Sequence, residues 1–489
     1  MPQYDVLIIG AGLSALQAAR TLQSSFRSLN VVILEARDRV GGRALTSSQS
    51  LQGPHVDLGC SMIHGYYEGN PARHLLRQLE MDVHIPTGAT GLVYGDEGPL
   101  TEADTTSLFA NSTQMAYKPK QGTKSTSSVA ELLFPTLAIK DERLIAIART
   151  AEIGAGVELE KTSAKWAGFE RGVGGTDAFP EGGYSEVVKN LVADFKSLGG
   201  TLELSSEVTS IQDLGAGEGI SVTTRSGSTF TSEFVISTIP LSVLQKSPPT
   251  FTPPLSSTFL SAVERTLVGN LEKVVLTYSS AWWPSPSTTG SYLLLPLSSS
   301  KYSPSESANA PPPSSLLELF SRTSIPVVNF ERIASTPHPT LLAYIGANAA
   351  KHLSNYSSTE ISTTLHSYLV QRLSTPNSST RPTTEPIHSV VTDWSTDPFS
   401  LGATSTPTTL STSRDGTESS PLDFVTLGRP EWEGRLGFAG EHTDLDNHGS
   451  VAGALISGRR EGERVAVLLE TRERKRKEQE EVKGEKGKM

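Results

Sequence analysis

The sequence holds a single cysteine, Cys60, in 489 residues. No intrachain disulfide can form, and no zinc site built of several thiolates is possible. Nowhere is there an apolar run approaching the roughly 20 residues that a membrane-spanning helix needs. The chain enters a strand-like run at Tyr4, without a basic n-region and an apolar h-region before it. That argues against a secretory leader and for a cytoplasmic protein without a membrane span. The last residues, Gly487-Lys488-Met489, are not a Ser-Lys-Leu peroxisomal address. Basic charge is also in deficit: 42 Lys and Arg face 52 Asp and Glu, a net charge of −10. Such a balance disfavours nucleic acid as a partner and favours cationic ligands. The segment 470–489 departs from it with eight basic and six acidic residues, and is read as a charge-mixed C-terminal tail.

What is present is concentrated in the first forty-odd residues. Tyr4-Asp5-Val6-Leu7-Ile8-Ile9 is an apolar run too short for a helix. It ends in Gly10-Ala11-Gly12-Leu13-Ser14-Ala15, and a stretch with Leu16, Ala19, Leu22 and Phe26 on one helical face follows. Val31-Val32-Ile33-Leu34 reads as a second buried strand, closed by Glu35, 25 residues after Gly10. Strand, glycine turn, helix, strand and acid is the order of a dinucleotide-binding βαβ unit. Gly10 and Gly12 allow a tight turn and close approach to a pyrophosphate. Leu13, Ser14 and Ala15 open the helix whose N-terminus faces that anion, and Glu35 can accept ribose hydroxyls. Ala36-Arg37-Asp38-Arg39-Val40-Gly41-Gly42-Arg43 follows at once, a second close-approach loop flanked by guanidinium donors.

A nicotinamide-binding unit does not need that second loop. With it, the chain resembles the flavin-containing amine oxidase family, closest to fungal polyamine oxidases, and the run 35–43 then implies FAD. Other stretches carry the same resemblance. Val56-Asp57-Leu58-Gly59-Cys60-Ser61-Met62-Ile63-His64 is similar to a polyamine oxidase run whose histidine faces the substrate channel. Gly269-Asn270-Leu271-Glu272-Lys273-Val274 is similar to the setting of a lysine that holds a water against flavin N5. Alternation puts Lys273 on the face of Val275 and Thr277. Val208 matches a valine at the adenine end of FAD, Trp394 opens a Trp-x-x-Asp-Pro run, and Gly440-Glu441 and Ser450-Val451 match the family's flavin-binding C-terminal segment.

The resemblance implies an α/β fold with a Rossmann-like FAD-binding domain from 1–82, 182–250 and 425–468. A discontinuous α+β substrate-binding domain comes from 83–181 and 251–424, as in the amine oxidase and glutathione-reductase-like architecture. It implies catalytic roles for Lys273 and His64. Hydride passes from an amine, such as spermine, spermidine or an acetylated form, to flavin N5, and O2 reoxidises the flavin to give H2O2. Ala403 stands where monoamine oxidases have the cysteine bonded to flavin, so non-covalent FAD is expected. Thr404 and Ser450 stand where relatives place an aromatic pair. That keeps open a monoamine-type oxidase, or a flavoprotein that binds a small ligand with little oxidase activity. No metal is implied.

Other expectations are local. Residues 141–153 read as one amphipathic helix, 235–244 as a buried strand stopped by Pro240, and 359–373 as a helix. The Ser/Pro/Thr-rich stretch 284–324 offers little for a core, with 303–314 a mobile insertion.

Overall fold

The computed structural model describes residues 3–26, 29–47, 55–114, 119–170, 175–215, 217–284, 288–299, 310–374, 385–406 and 418–486. Among these, two large sheets organise the chain.

The first sheet grows from the opening strand Tyr4–Ile9, parallel to Val31–Leu34 on one side and to Thr229–Ser237 on the other. Thr201–Glu203 extends it beyond Val31–Leu34. Thr229–Ser237 divides its far edge. Its first half is antiparallel to Ile220–Thr224, the expected hairpin, and its second half is parallel to Leu436–Phe438. The opening strand is apolar without alternation because both of its faces are covered. Val6 and Ile8 join a core with the opening helix Leu13–Ser25, the helix Tyr184–Ser197 and the C-terminal helix Val451–Lys486. Leu7 and Ile9 join the opposite core with Leu241, Leu244 and Phe259. The α/β class and the Rossmann-like unit inferred from sequence are those observed.

The second sheet has the order His388–Val391, Leu271–Thr277, Thr340–Gly346, Ile325–Asn329, Thr289–Leu294, Thr90–Gly95, Gly98–Pro99. Val274 and Leu276 point into its own core with Leu365 and Tyr368 of the helix Ser358–Leu373. Val275 points the other way, onto Val56 and Leu342. Lys273 shares the face of Val275, so its side chain is aimed at the loop that follows the first βαβ unit.

Three local expectations fail. The stretch 141–153 is two helices, Glu142–Ala148 and Ala151–Ala155. Thr150 intervenes, its hydroxyl bonding the Ile147 carbonyl at 2.6 Å and competing with helical continuation. The strand through 235 ends at Ser237, and the chain then turns through Pro240 into the helix Leu241–Lys246. The polar stretch 284–324 supplies core elements after all. Tyr292 and Leu294 of Thr289–Leu294 and Leu316, Leu319 and Phe320 of Leu316–Arg322 are buried together. A few large apolar residues at the right period suffice there, whatever the average composition. Residues 303–309 of the expected insertion lie outside the described residues. The charged tail, to Lys486, continues the C-terminal helix.

The C-terminal helix lies directly on the opening helix, through glycines. A Cβ at Gly458 would sit 2.2 Å from the Ser14 carbonyl oxygen, and one at Gly462 would sit 2.7 Å from Thr21 Cβ. Both clashes fall on packed neighbours that cannot swing aside, so an added methyl must separate the helices. Gly458→Ala is expected to cost about 1–3 kcal/mol and so to lower the melting temperature. A variant with parent-like melting would show that this spacing does not hold the two helices together.

Candidate active site

A cavity of about 1070 Å³ opens where the two sheets face each other. One wall is the glycine turn. Gly12 pairs with Gly41 in an isolated parallel bridge, and the Gly41 N–H donates to Ala11 O at 2.8 Å. A Cβ built on Gly12 meets nothing within 4 Å, so the backbone here is bare toward the cavity. The opening helix begins at this point with no side-chain cap, leaving its first N–H groups and its positive end available to an anion. Glu35 is buried beside it. Its Oε2 accepts from the Ala11 N–H at 2.7 Å and its Oε1 from the Arg37 N–H at 2.9 Å. A carboxylate so held keeps lone pairs for two hydroxyls. A diphosphate with a ribose beside it fits this wall.

The opposite wall carries Lys273, only 3% exposed. Its ammonium donates to Asp57 O at 2.8 Å, Gly59 O at 2.6 Å and Ser61 Oγ at 2.6 Å. All three acceptors lie in the segment 57–61. That segment is pressed against the second glycine loop so closely that a Cβ on Gly59 would overlap Arg43 O. The Asp57 carboxylate makes no hydrogen bond to the ammonium, though the two charges attract. It accepts from Thr46 Oγ1 at 2.6 Å and the Tyr184 N–H at 3.0 Å. Burial pushes its pKa up to about 6 despite those bonds. Glu272, on the other face of the strand, accepts from Thr392 Oγ1, Ser395 Oγ and the Trp394 and Ser395 N–H groups, and so shapes the turn carrying Trp394.

The third wall comes from the C-terminal segment. Glu441 accepts from Ser405 Oγ at 2.6 Å, the Gly449 N–H at 2.7 Å and Arg43 Nη1 at 3.1 Å. Burial alone would raise its pKa, but the guanidinium of Arg43 and these bonds bring it down to about 2. Ser450 bonds Asn447 O at 2.6 Å and caps the Gly453 N–H, so the helix Val451–Lys486 starts at the cavity edge. Thr404 donates to Gly154 O and Ala155 O. Neither position carries a ring.

Gly10, Gly12, Leu13, Ser14, Glu35, Ala36, Arg37, Gly41, Gly42, Arg43, His64, Val208, Lys273, Trp394, Gly440, Glu441, Ser450 and Val451 all line this one cavity. Ala15 does not; it is fully buried in the core beneath the turn. The arginines differ from expectation in one respect. Arg37 forks onto Asp397 at 2.5 and 2.7 Å and reaches Ser400 Oγ, so its guanidinium is committed to the protein. Arg43 bonds Ala403 O and Glu441. His64 stands at the rim, 61% exposed, with Nδ1 3.2 Å from Asp177 Oδ2. Sequence reading missed Ser61, Asp397, Phe399 and Tyr344. The Arg37–Asp397 pair spans 360 residues, and Tyr344 reaches the cavity only through its cross-strand register with Lys273. No short-range pattern records either.

His448 was missed too. Its Nδ1 faces Ser405 O at 2.7 Å and its Nε2 faces Glu170 Oε1 at 3.1 Å, with the rings of Phe424 and Phe169 stacked against it. Acceptors facing both nitrogens favour the doubly protonated ring. Burial opposes that charge, but the bonds to Glu170 and Ser405 outweigh it and hold the pKa above the usual histidine value.

Residues 108–466 match the family model of flavin containing amine oxidoreductases, and residues 8–79 that of an NAD(P)-binding Rossmann-like domain. Lysine-specific histone demethylase 1 homolog 3 of Arabidopsis thaliana is 27% identical over 96% of this chain, which spans only 30% of that protein's length. Probable polyamine oxidase 4 of the same plant is 25% identical over 93% of this chain and 86% of its own. The corticosteroid-binding protein of Candida albicans is 26% identical over 93% and 94%.

The His448 geometry sets a pH dependence. A raised folded-state pKa gives stability that is complete below about 6.5 and is lost as pH climbs through the raised value. Melting temperature is therefore expected to fall as pH rises above neutrality, and His448→Gln to flatten that part of the profile. An unchanged slope in the variant would assign the dependence to another group.

Proposed function

Because the chain belongs to the flavin containing amine oxidoreductase family, we propose that it oxidises an amine with FAD held non-covalently in the cavity between its two sheets. The observation that carries this reading is the meeting of a bare glycine turn, a buried Glu35 and a buried Lys273 around one space. FAD, when bound, supplies the hydride acceptor at N5 and turns O2 into H2O2 on reoxidation. Gly12, Gly42 and the N-terminus of Leu13–Ser25 would hold the diphosphate, and Glu35 the ribose. Val208, on the cavity lining, would meet the adenine end. Trp394, Glu441 and the helix start at Ser450 and Val451 would flank the ring end. That helix start would stabilise negative charge at the ring end of the bound cofactor. Ala403 offers no atom for a covalent link. Cys60, the one thiol, lies in the wall with its pKa pushed up by burial, so it stays protonated and unreactive.

The chain's own residues orient reactants and handle the proton. Lys273, tethered by three bonds, is a fixed cation beside the reacting space. Its Ser61 partner is the one side-chain acceptor and the one that can yield a donor to a water. With Nδ1–H directed to Asp177, His64 presents the Nε2 lone pair, which can take the proton an ammonium substrate must lose before hydride leaves. Spermine, spermidine and acetylated forms are the substrates suggested by the resemblance to polyamine oxidases. The second reading, a flavoprotein that binds a small ligand with little turnover, draws on the ringless positions Thr404 and Ser450 and on the relative named for corticosteroid binding.

A peroxide-coupled assay of the purified yellow protein over an amine panel separates the two. Lys273→Met is expected to slow flavin reduction or reoxidation at least tenfold, about 1.4 kcal/mol of barrier. Rates within about threefold of the parent, roughly 0.65 kcal/mol, would remove the lysine from the chemistry. Bound flavin with no peroxide from any amine would favour the ligand-binding reading.

A further inference from the structure

We infer that the reacting half of the cavity selects an amine with one nitrogen and an apolar body, and rejects polyamines. The inference rests on the amine-oxidase reading above and narrows its substrate.

The wall contributed by the second sheet and its helices presents Thr150, Ile153, Leu271, Lys273, Pro326 and Tyr344 to the cavity. One of these is charged, and it is a cation. Among the described residues, the carboxylates that line the cavity are Glu35, Glu207 and Glu441. All three stand on first-sheet or C-terminal segments, and all three are engaged. Glu35 holds two backbone N–H groups. Glu207 forks onto Arg225. Glu441 holds Ser405, Gly449 and Arg43.

The acids just behind the reacting wall are turned away from it. Glu152 bonds Arg149 at 2.6 Å and the Leu159 N–H at 3.0 Å. Glu170 faces His448 at 3.1 Å. Asp177, at the rim, takes His64 Nδ1 and the Gly65 N–H.

A polyamine brings further ammonium groups besides the nitrogen that reacts. Each would sit in a largely apolar wall where, among the described residues, no lining carboxylate is unengaged, and close to the Lys273 cation. An unpaired buried ion costs several kcal/mol even after relaxation. A one-nitrogen amine avoids that cost, because it becomes neutral before hydride leaves. Its body then meets Ile153, Leu271, Pro326 and the ring of Tyr344, whose face lies 5.3 Å from Lys273 Nζ. Burial of such a body strengthens by about 0.8 kcal/mol per methylene.

The test uses the full-length holoprotein. Dissociation constants are measured anaerobically by titration calorimetry for butylamine, hexylamine, phenylethylamine, spermidine and spermine, and kcat/KM by peroxide release. Binding is expected to tighten from butylamine to hexylamine by about tenfold, and both polyamines to bind at least about tenfold more weakly than hexylamine. Leu271→Asp, which puts a carboxylate on the wall, is expected to shift the hexylamine-to-spermidine affinity ratio at least about fivefold toward spermidine. Tighter binding of either polyamine than of hexylamine by the parent overturns the inference, as does failure to bind any one-nitrogen amine. Peroxide release decides the oxidase reading separately. Polyamine-selective turnover leaves that reading standing while this one falls, and hexylamine-selective binding without turnover does the reverse.

Discussion

The arrangement depends on one buried cation. Lys273 has three N–H donors, and the chain gives it three oxygens from a single short segment, 57–61. Hydrogen bonds to a charged group contribute about 1.5–3 kcal/mol each, and loss of any acceptor would leave part of an ammonium unsolvated. The strand and the segment are therefore obliged to stay together. Since 57–61 follows the first βαβ unit and Lys273 belongs to the second sheet, this cluster fixes the distance between the cavity's two walls. The neighbouring residue completes the joint. Thr392 Oγ1 accepts from the Lys273 backbone N–H at 2.8 Å and donates to Glu272 at 2.5 Å, so the opposite face of the same strand holds the turn carrying Trp394.

The cavity is electrically divided as a result. Its first-sheet side offers helix N-terminal N–H groups and Arg43, with Glu35 and Glu441 as neutralised or hydroxyl-seeking acids. That is the surface a diphosphate with a ribose requires. Its second-sheet side offers apolar side chains around one immobilised ammonium. Among the described residues, that side presents no unengaged carboxylate to a positive charge. His64 stands at the rim, with Nδ1 facing Asp177.

How much of this could be read from residues alone follows from range. The glycine turn, Glu35 and the loop 35–43 were recognisable because their geometry is set within one βαβ unit. The strand carrying Lys273 was recognisable, and its alternation correctly separated Lys273 from Glu272. The face each would meet was not, because period-2 alternation does not say which side is the core. Long-range partners left no local trace: Arg37 with Asp397, Glu441 with Ser405, His448 with Glu170. Composition misled at 284–324, where Tyr292, Leu294 and Phe320 form core amid serine and proline. Thr150 broke a helix that its apolar period favoured, through a single hydroxyl.

One further constraint links the two ends of the chain. The opening helix and the C-terminal helix both begin at the cavity, and two positive helix ends converging on one space repel unless an anion lies between them. The protein holds them there by close packing, with Gly458 against the Ser14 backbone and Gly462 against Thr21. Side chains larger than hydrogen at those positions would relieve the approach and pull the ends apart. The small residues of the C-terminal helix thus act through the spacing they enforce rather than through any contact with a ligand. Glu35 on the Ala11 N–H and Glu441 on the Gly449 N–H already place carboxylates beside those ends, and a diphosphate bound between them would add to that balance.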